Sequence, residues 1–371
     1  MASAPPRLKH LTAELLARPG RYAARVVARD RLRRVRLEAP PADTVLQEDA
    51  LHDFRVALRR LRTWLRAFDR EFDDTVGRGT LRRLRRLSRR TGRARDLEVQ
   101  LLWLSHPSVR LGPLATQAAS ALADRLRTEQ AAALTKAIEM IAGELPGAGR
   151  KLDRQLRRYE VEVRLESGRQ EPTMAVTLGR RLREGARQVR EALARVTAAD
   201  QAAEAHRARL AVKHLRYLLE SLGEVNRGSR RAAARMARLQ DALGVLHDRH
   251  VLLARVGREL LQPGAAAASR EATPHPPTRR AYTALHTALE RATASEFRKV
   301  FRLAQAGGTA AALATVDRLA LQLGGEDAPA EAPIAPPDEA NPPHRALDGT
   351  SPWAPGIEES SMGVALPVDM A

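Results

Sequence analysis

Residues 52–68 read HDFRVALRRLRTWLRAF. On a helix at 100° per residue, His52, Arg55, Arg59, Arg62 and Arg66 fall within an arc of about 80°. Phe54, Leu58, Leu61, Leu65 and Phe68 occupy a separate, roughly opposite face. One helix therefore carries an apolar side and a ridge of five basic or titratable groups. Like charges at i,i+3 and i,i+4 repel one another when unscreened. Such a ridge is comfortable only in open water or against an anion.

Composition narrows the choice. The chain has 371 residues, 44% of them hydrophobic and only 3% aromatic. Leu and Ala fill most of the apolar volume, which favours helices over sheets. The formal net charge is +19, and all but five of the 63 basic side chains are Arg. That balance implies an anionic partner: nucleic acid, another polyanion or a membrane surface. No Cys is present, hence no disulfide framework and no thiolate metal site. The opening MASAPPRLKH lacks an apolar signal region, and no window approaches a membrane span. A soluble, cytoplasmic protein that does not enter a membrane is expected.

Taken in order, residues 1–19 read as a flexible N-terminal arm with a short helix over 8–17, stopped by Pro19-Gly20. A basic helix follows over 22–37. The helix holding His52 is expected to be capped by Asp43 or Thr44 and to end near Asp73. Residues 81–91, LRRLRRLSRRT, place Leu81, Leu84 and Leu87 on the core side and six arginines elsewhere. A kink is expected at Gly92, and 105–113 read as a loop. A long helix over 114–144 should close at Leu145-Pro146-Gly147. Residues 151–166 are ambiguous, because YEVEVRLE alternates like a strand. Helices are expected over 175–196, 200–225, 230–247, 248–260, 280–303 and 309–323, with a junction near Gly244. Residues 262–279 read as a mobile loop. Residues 326–371 contain nine Pro, nine Asp or Glu and one Arg, which reads as a disordered acidic tail beginning near 324. The chain before that tail holds 62 basic and 35 acidic side chains, a net +27. The tail is expected to solubilise the protein or to compete weakly for its basic face.

The ridge occurs twice. HDFRVALRRLRTWL aligns with HRARLAVKHLRYLL, so His52, Arg55, Arg59 and Arg62 match His206, Arg209, Lys213 and Arg216, each at an offset of 154. Downstream, LSRRTGRARD aligns with LQDALGVLHD, so Gly92 matches Gly244 and Asp96 matches Asp248 at an offset of 152. The second copy also keeps Val212, Leu215 and Leu219 off the ridge. A single HxxR carries no information, whereas a duplicated block followed by a Gly-x-x-x-Asp element at near-equal spacing is specific. Two such repeats, about 20–145 and about 173–323, predict an all-α fold of two helical bundles related by a pseudo-twofold axis, bringing both ridges onto one elongated surface or channel.

At these residues the chain resembles the CHAD family of helical domains named for their histidines. HDFRVALRRLR from His52, GRARDLEV from Gly92, HRARLAVKHLRYLLE from His206 and LQDALGVLHD from Leu239 carry the resemblance. It implies two four-helix bundles forming one CHAD domain over 20–323. It also implies non-enzymatic binding of inorganic polyphosphate, and association with polyphosphate granules and the proteins on them. Carried over residue by residue, the binding groups are His52, Arg55, Arg59 and Arg62, with His206, Arg209, Lys213 and Arg216. Flanking candidates are Arg60 and His214 on the ridge helices, and Arg82, Arg86, Arg89 and Arg95 on the helix that follows. Two departures stand at the ends of the ridge: His247 replaces Arg95, and Glu220 replaces Arg66.

The residue types suit that ligand. Arg offers a planar fork to two phosphate oxygens at once, and Lys adds a compact charge. His52 and His206 can donate to phosphate once protonated, or hold the bundle together as neutral hydrogen-bonding groups. Asp96 and Asp248 read as acceptors that orient Arg or His. Gly92 and Gly244 read as positions allowing a turn or close helix approach. Nucleic acid is the alternative partner, disfavoured because three Trp, four Tyr and five Phe leave few stacking platforms. The family's frequent fusion partner, the CYTH triphosphatase domain, has an ExExK signature, and Glu160, Glu162 and Arg164 give ExExR. That reading is set aside, because the segment sits inside a helical repeat and no second acidic strand completes a metal site. No catalytic residue, metal or cofactor is expected.

Overall fold

A computed structural model describes residues 11–40, 48–106, 109–158, 171–223, 226–261 and 277–324, all within the unit Met1–Asp338. Ten α-helices occur among them: α1 (Ala13–Ala17), α2 (Gly20–Leu37), α3 (Glu48–Ala67), α4 (Arg78–Leu104), α5 (Pro113–Arg157), α6 (Met174–Ala194), α7 (Ala202–Ser221), α8 (Arg227–Leu261), α9 (Arg279–Gln305) and α10 (Gly307–Gln322). A 3₁₀ turn, Asp69–Glu71, follows α3, and the described residues contain no strand beyond an isolated bridge between Pro19 and Thr173. The chain is all-α. No described helix is long and apolar enough to cross a membrane.

The apolar face of α3 is buried as its period requires. Phe54, Leu58, Leu61, Leu65 and Phe68 are each at most 2% exposed. Each such side chain contributes roughly 1.5–3 kcal/mol when fully buried, so this one face anchors the helix. Trp64 lies on the same side; its Nε1 donates to the carbonyl of Ala24 at 2.9 Å and ties α3 to α2. In the second copy Val212, Leu215 and Leu219 are buried in the same manner on α7.

Helices α2, α3, α4 and α5 pack in sequence and α5 closes on α2; α6, α7, α8 and α9 pack in sequence, and α10 makes the closure by lying against α6 and α8. Between the two sets, α2 meets α6, α3 meets α7, α4 meets α8 and α5 meets α9. Each helix of one repeat thus touches its own counterpart, the pairing that a twofold relation generates. It sets the two ridge helices side by side.

Three expected breaks are absent. Helix α4 runs unbroken through Gly92 and α8 through Gly244. A Cβ at Gly92 would meet nothing within 4 Å, so this glycine serves neither a turn nor a close approach. Helix α5 continues through Pro146 for another turn and more. A proline inside a helix costs about 3 kcal/mol. Leu145, Leu152 and Leu156, all at most 4% exposed, together outweigh that once the helix continues. Elsewhere, Leu81 is 38% exposed near the start of α4 rather than on the core side. Helix α3 stops at Ala67, short of Asp73, because the 3₁₀ turn intervenes. The arm over 1–10, the caps Asp43 and Thr44, the alternating segment over 159–166, the loop over 262–276 and the tail from 325 lie outside the described residues.

Candidate functional site

The ridge on α3 begins with exposed His52 and continues through half-buried Arg55, Arg59 and Arg62. On α7 its counterpart has half-buried His206, Arg209 and Arg216, while Lys213 is only 6% exposed. Because α3 packs on α7 and α4 on α8, the two ridges converge instead of facing opposite sides of the molecule.

The point of convergence is a pair of carboxyl groups. Asp96, on α4, is acted on by Arg55 from α3, by Arg209 from α7 and by Arg95 from its own helix. Its carboxyl is raised to about 6, by burial first and by the Asp248 charge as well, with Arg55, Arg209 and Arg95 opposing the rise. Burial also raises Asp248 on α8, against Arg209, Arg249 and Arg95. Arg55 pairs electrostatically with Asp96 as its counterpart Arg209 does with Asp248. Arg209 and Arg95 each also act across the repeat boundary. Burial, with a smaller contribution from neighbouring Arg59 and Arg95, lowers Arg55 to about 10 despite Asp96. A small pocket between α4 and α8 is lined by Asp96, Gln100, His247, Asp248 and Val251. Asp96 and Asp248, expected to be acceptors that orient Arg or His, stand within electrostatic reach of Arg55, Arg95 and Arg209.

On the ridges, two arginines have a donor that the described fold does not use. The buried Nε atoms of Arg59 and Arg209 have no hydrogen-bond partner among the described residues. A buried donor left unmade costs about 1–3 kcal/mol, a cost these two share with the Nε atoms of Arg25, Arg180, Arg181 and Arg255 elsewhere in the fold. Gly244 lies beneath one of them; a Cβ there would sit 3.8 Å from Arg209 Nε.

At the other end of the ridge, Glu220 occupies the place of Arg66 and changes the local chemistry. It accepts from Arg216 Nε at 2.7 Å and lies 3.6 Å from Arg60 Nη2. Arg31 of α2 donates to the carbonyl of Arg60 at 3.0 Å and stacks 4.4 Å from the Trp64 ring centre. Burial and neighbouring Arg60 lower it to about 10. Arg60 and Arg216 are therefore partly neutralised.

One candidate is moved off the site. His214 is 6% exposed, and burial lowers its imidazole to about 4, assisted by Arg66, Arg181 and Lys213. Its Nε2 has no hydrogen-bond partner among the described residues. Its position, one residue beyond Lys213 on the same helix, turns it into the α7 packing surface, so it is not a surface ligand. Lys213 keeps its place on the ridge but is covered. On α4, exposed Arg86 is held by Glu144 of α5 at 2.7 and 3.2 Å, and Arg95 pairs with Glu98. Arg82 and Arg89 are exposed on the same helix.

His247 was not among the predicted binding groups. Its ring lies 4.7 Å from that of His206, and burial, then Arg209 and His206, lower it to about 2. It places a neutral imidazole where the first repeat has a guanidinium. The departure from Arg95 at the 152 offset was the signal that could have found it. Arg31 lies outside both aligned blocks and left no such signal. Among the described residues no group of three or more His, Cys, Asp or Glu has the arrangement to hold a metal ion. The site offers clustered guanidinium donors and a buried carboxyl pair, a chemistry suited to a ligand with many anionic oxygens.

A family model, CHAD domain, matches residues 26–257. The crystal structure of the CHAD domain from the plant Ricinus communis is similar in fold: 20% sequence identity, a TM-score of 0.57, and coverage of 84% of this chain and 96% of that one. No curated protein sequence matches. With the family match covering more than half its length, and a twin-repeat helical fold to go with it, the chain belongs to the CHAD domain family.

Proposed function

We propose that the convergent ridges bind inorganic polyphosphate and make or break no bond in it. The observation that carries this reading is that Arg55 of one repeat and Arg209 of the other both act on Asp96. Cations from two helices, 154 residues apart in sequence, thus serve one place. Polyphosphate presents a run of equivalent anionic oxygens without bases. Guanidinium forks on rigid helices suit it, since each engages two oxygens and successive turns repeat about every 5.4 Å. Counterion release should supply much of the affinity, by analogy with nucleic acids, and make it fall steeply with salt.

The aromatic side chains favour polyphosphate over nucleic acid. Trp64, Trp103, Phe54, Phe68, Tyr217 and Tyr282 are buried, and the exposed aromatics among the described residues, Tyr22 on α2 and Phe301 on α9, lie on neither ridge helix, so the ridges carry no base-stacking surface. The test is a titration of the Arg55→Glu/Arg209→Glu variant with long-chain polyphosphate at two salt concentrations, with circular dichroism as the folding control. Binding should be lost while helical content is retained. Unchanged binding refutes the assignment of this face. In competition, polyphosphate should displace the protein from DNA at far lower phosphate concentration than the reverse. A fluorescent fusion should collect on polyphosphate granules.

A further inference from the structure

The two repeats agree at the centre of the site and disagree beyond it. From Asp96, steps of three or four residues back along α4 meet Gly92, Arg89, Arg85, Arg82 and Arg78 on one stripe. From Asp248, the same steps back along α8 meet Gly244, Asp241, Ala237, Ala234 and Arg230. Register is kept throughout, so three arginines on one arm face two alanines and an aspartate on the other. Residues 78–95 hold nine arginines and no carboxylate; residues 230–247 hold four arginines and Asp241. One of those four, Arg235, is turned inward to Thr309 Oγ1 and the carbonyl of Leu303, both at 3.0 Å.

Arg78, Arg82 and Arg89 are exposed, and Arg85 is half-buried. Neighbouring Arg86 and Arg93 are answered by Glu144 and Glu129 of α5. No carboxylate among the described residues pairs with Arg82 or Arg89. Because α4 is unbroken, this stripe runs straight into the carboxyl pair, about 27 Å from Arg78 to Asp96 at 1.5 Å per residue. A row of like charges at i,i+3 and i,i+4 destabilises a bare helix. An extended polyanion lying along it reverses the sign of that interaction.

We infer that the anion track is one-sided: from the shared centre it continues along α4 toward Arg78 and not along α8. This rests on the proposed polyanion-binding function and gives it a specificity. An anion short enough to fill the centre alone makes no use of the arm. A long chain gains contacts there with each further turn of α4, so the arm selects for chain length.

The experiment compares tripolyphosphate with long-chain polyphosphate on four proteins: the wild type, Arg82→Ala/Arg89→Ala, the α8 control Arg231→Ala/Arg238→Ala, and Ala234→Arg/Asp241→Arg. Removing Arg82 and Arg89 should raise the long-chain Kd by about tenfold and reduce the salt slope by about 2, with tripolyphosphate affinity unchanged. The α8 control should stay within about twofold of wild type. The added arginines on α8 should tighten long-chain binding. Equal losses from the α4 and α8 variants, or equal losses for short and long anions, overturn the one-sided track and leave the functional reading in place. A wild-type protein that binds neither anion overturns that reading as well.

Discussion

Replacing Asp96 with Asn should stabilise the protein in a pH-dependent way. The carboxyl of Asp96 has its usual 3.8 raised to about 6 in the folded state. Above pH 6 the unfolded chain ionises this group freely, whereas the folded chain must hold the charge in a desolvated place beside Asp248. A carboxyl whose folded value is raised leaves the protein more stable on the acid side, and stability is lost as pH rises from 3.8 through 6. The two-unit displacement corresponds to about 3 kcal/mol above that window, at 1.36 kcal/mol per unit, and about half of it falls between pH 5 and pH 7.5. Asn keeps the size and removes the charge, so its stability advantage over wild type should grow by that half across the interval. Urea unfolding of both proteins at the two pH values gives the number. Groups remote from Asp96 titrate alike in both proteins and cancel in the comparison; Asp248, which acts on Asp96, does not, so the same pH series on Asp248→Asn separates the two carboxyls. An advantage that is constant with pH refutes the claim that Asp96 is strained by burial. The same variant should bind polyphosphate more tightly at pH 7.5, because it removes a negative charge from the centre of the track.

Three further variants test the packing. His214→Leu should leave polyphosphate binding unchanged, since the side chain is buried and offers no surface to a ligand. A His whose folded value is lowered, here to about 4, costs stability as pH falls from 6.5 toward 4. The Leu variant should therefore lose less stability than wild type on acidification, by about 2 kcal/mol between pH 7.5 and 5, followed by thermal unfolding at those two values. Gly92→Ala should stabilise α4 by about 0.5–1 kcal/mol, because a Cβ there meets open space. Gly20→Ala should destabilise by about 1–3 kcal/mol, because its Cβ would sit 2.7 Å from Thr177 Oγ1 where α2 crosses α6. The pair of melting temperatures, one raised and one lowered, is the check.

The ridge and its apolar reverse were legible from residues 52–68 because a helix of period 3.6 separates them without help from the rest of the chain. The repeat made the meeting of α3 and α7 legible as well, since a duplicated unit tends to pack against its copy. What escaped was whatever tertiary burial decided. Gly92, Gly244 and Pro146 are punctuation in a bare sequence, yet each lies within a helix whose neighbours hold it continuous. Lys213 and His214 are adjacent on α7 and both only 6% exposed, and nothing local says that neighbouring helices will cover them. Arg31 reaches the site from α2, outside both aligned blocks. Its approach depends on how that helix lies across Trp64.

The 45-residue helix α5 touches helices of both repeats. Near its C-terminal end Thr80 of α4 donates to Gln155 at 2.9 Å, and Glu144 holds Arg86. Near its N-terminal end Arg125 reaches Glu259 of α8 at 3.0 Å and Tyr282 of α9 at 2.8 Å. This single rod, about 67 Å long at 1.5 Å per residue, is built into both halves like a shared beam. Neither half can melt without stripping apolar surface from the other. The duplicated architecture therefore unfolds as one cooperative body, and a chain cut between the repeats yields two incomplete fragments.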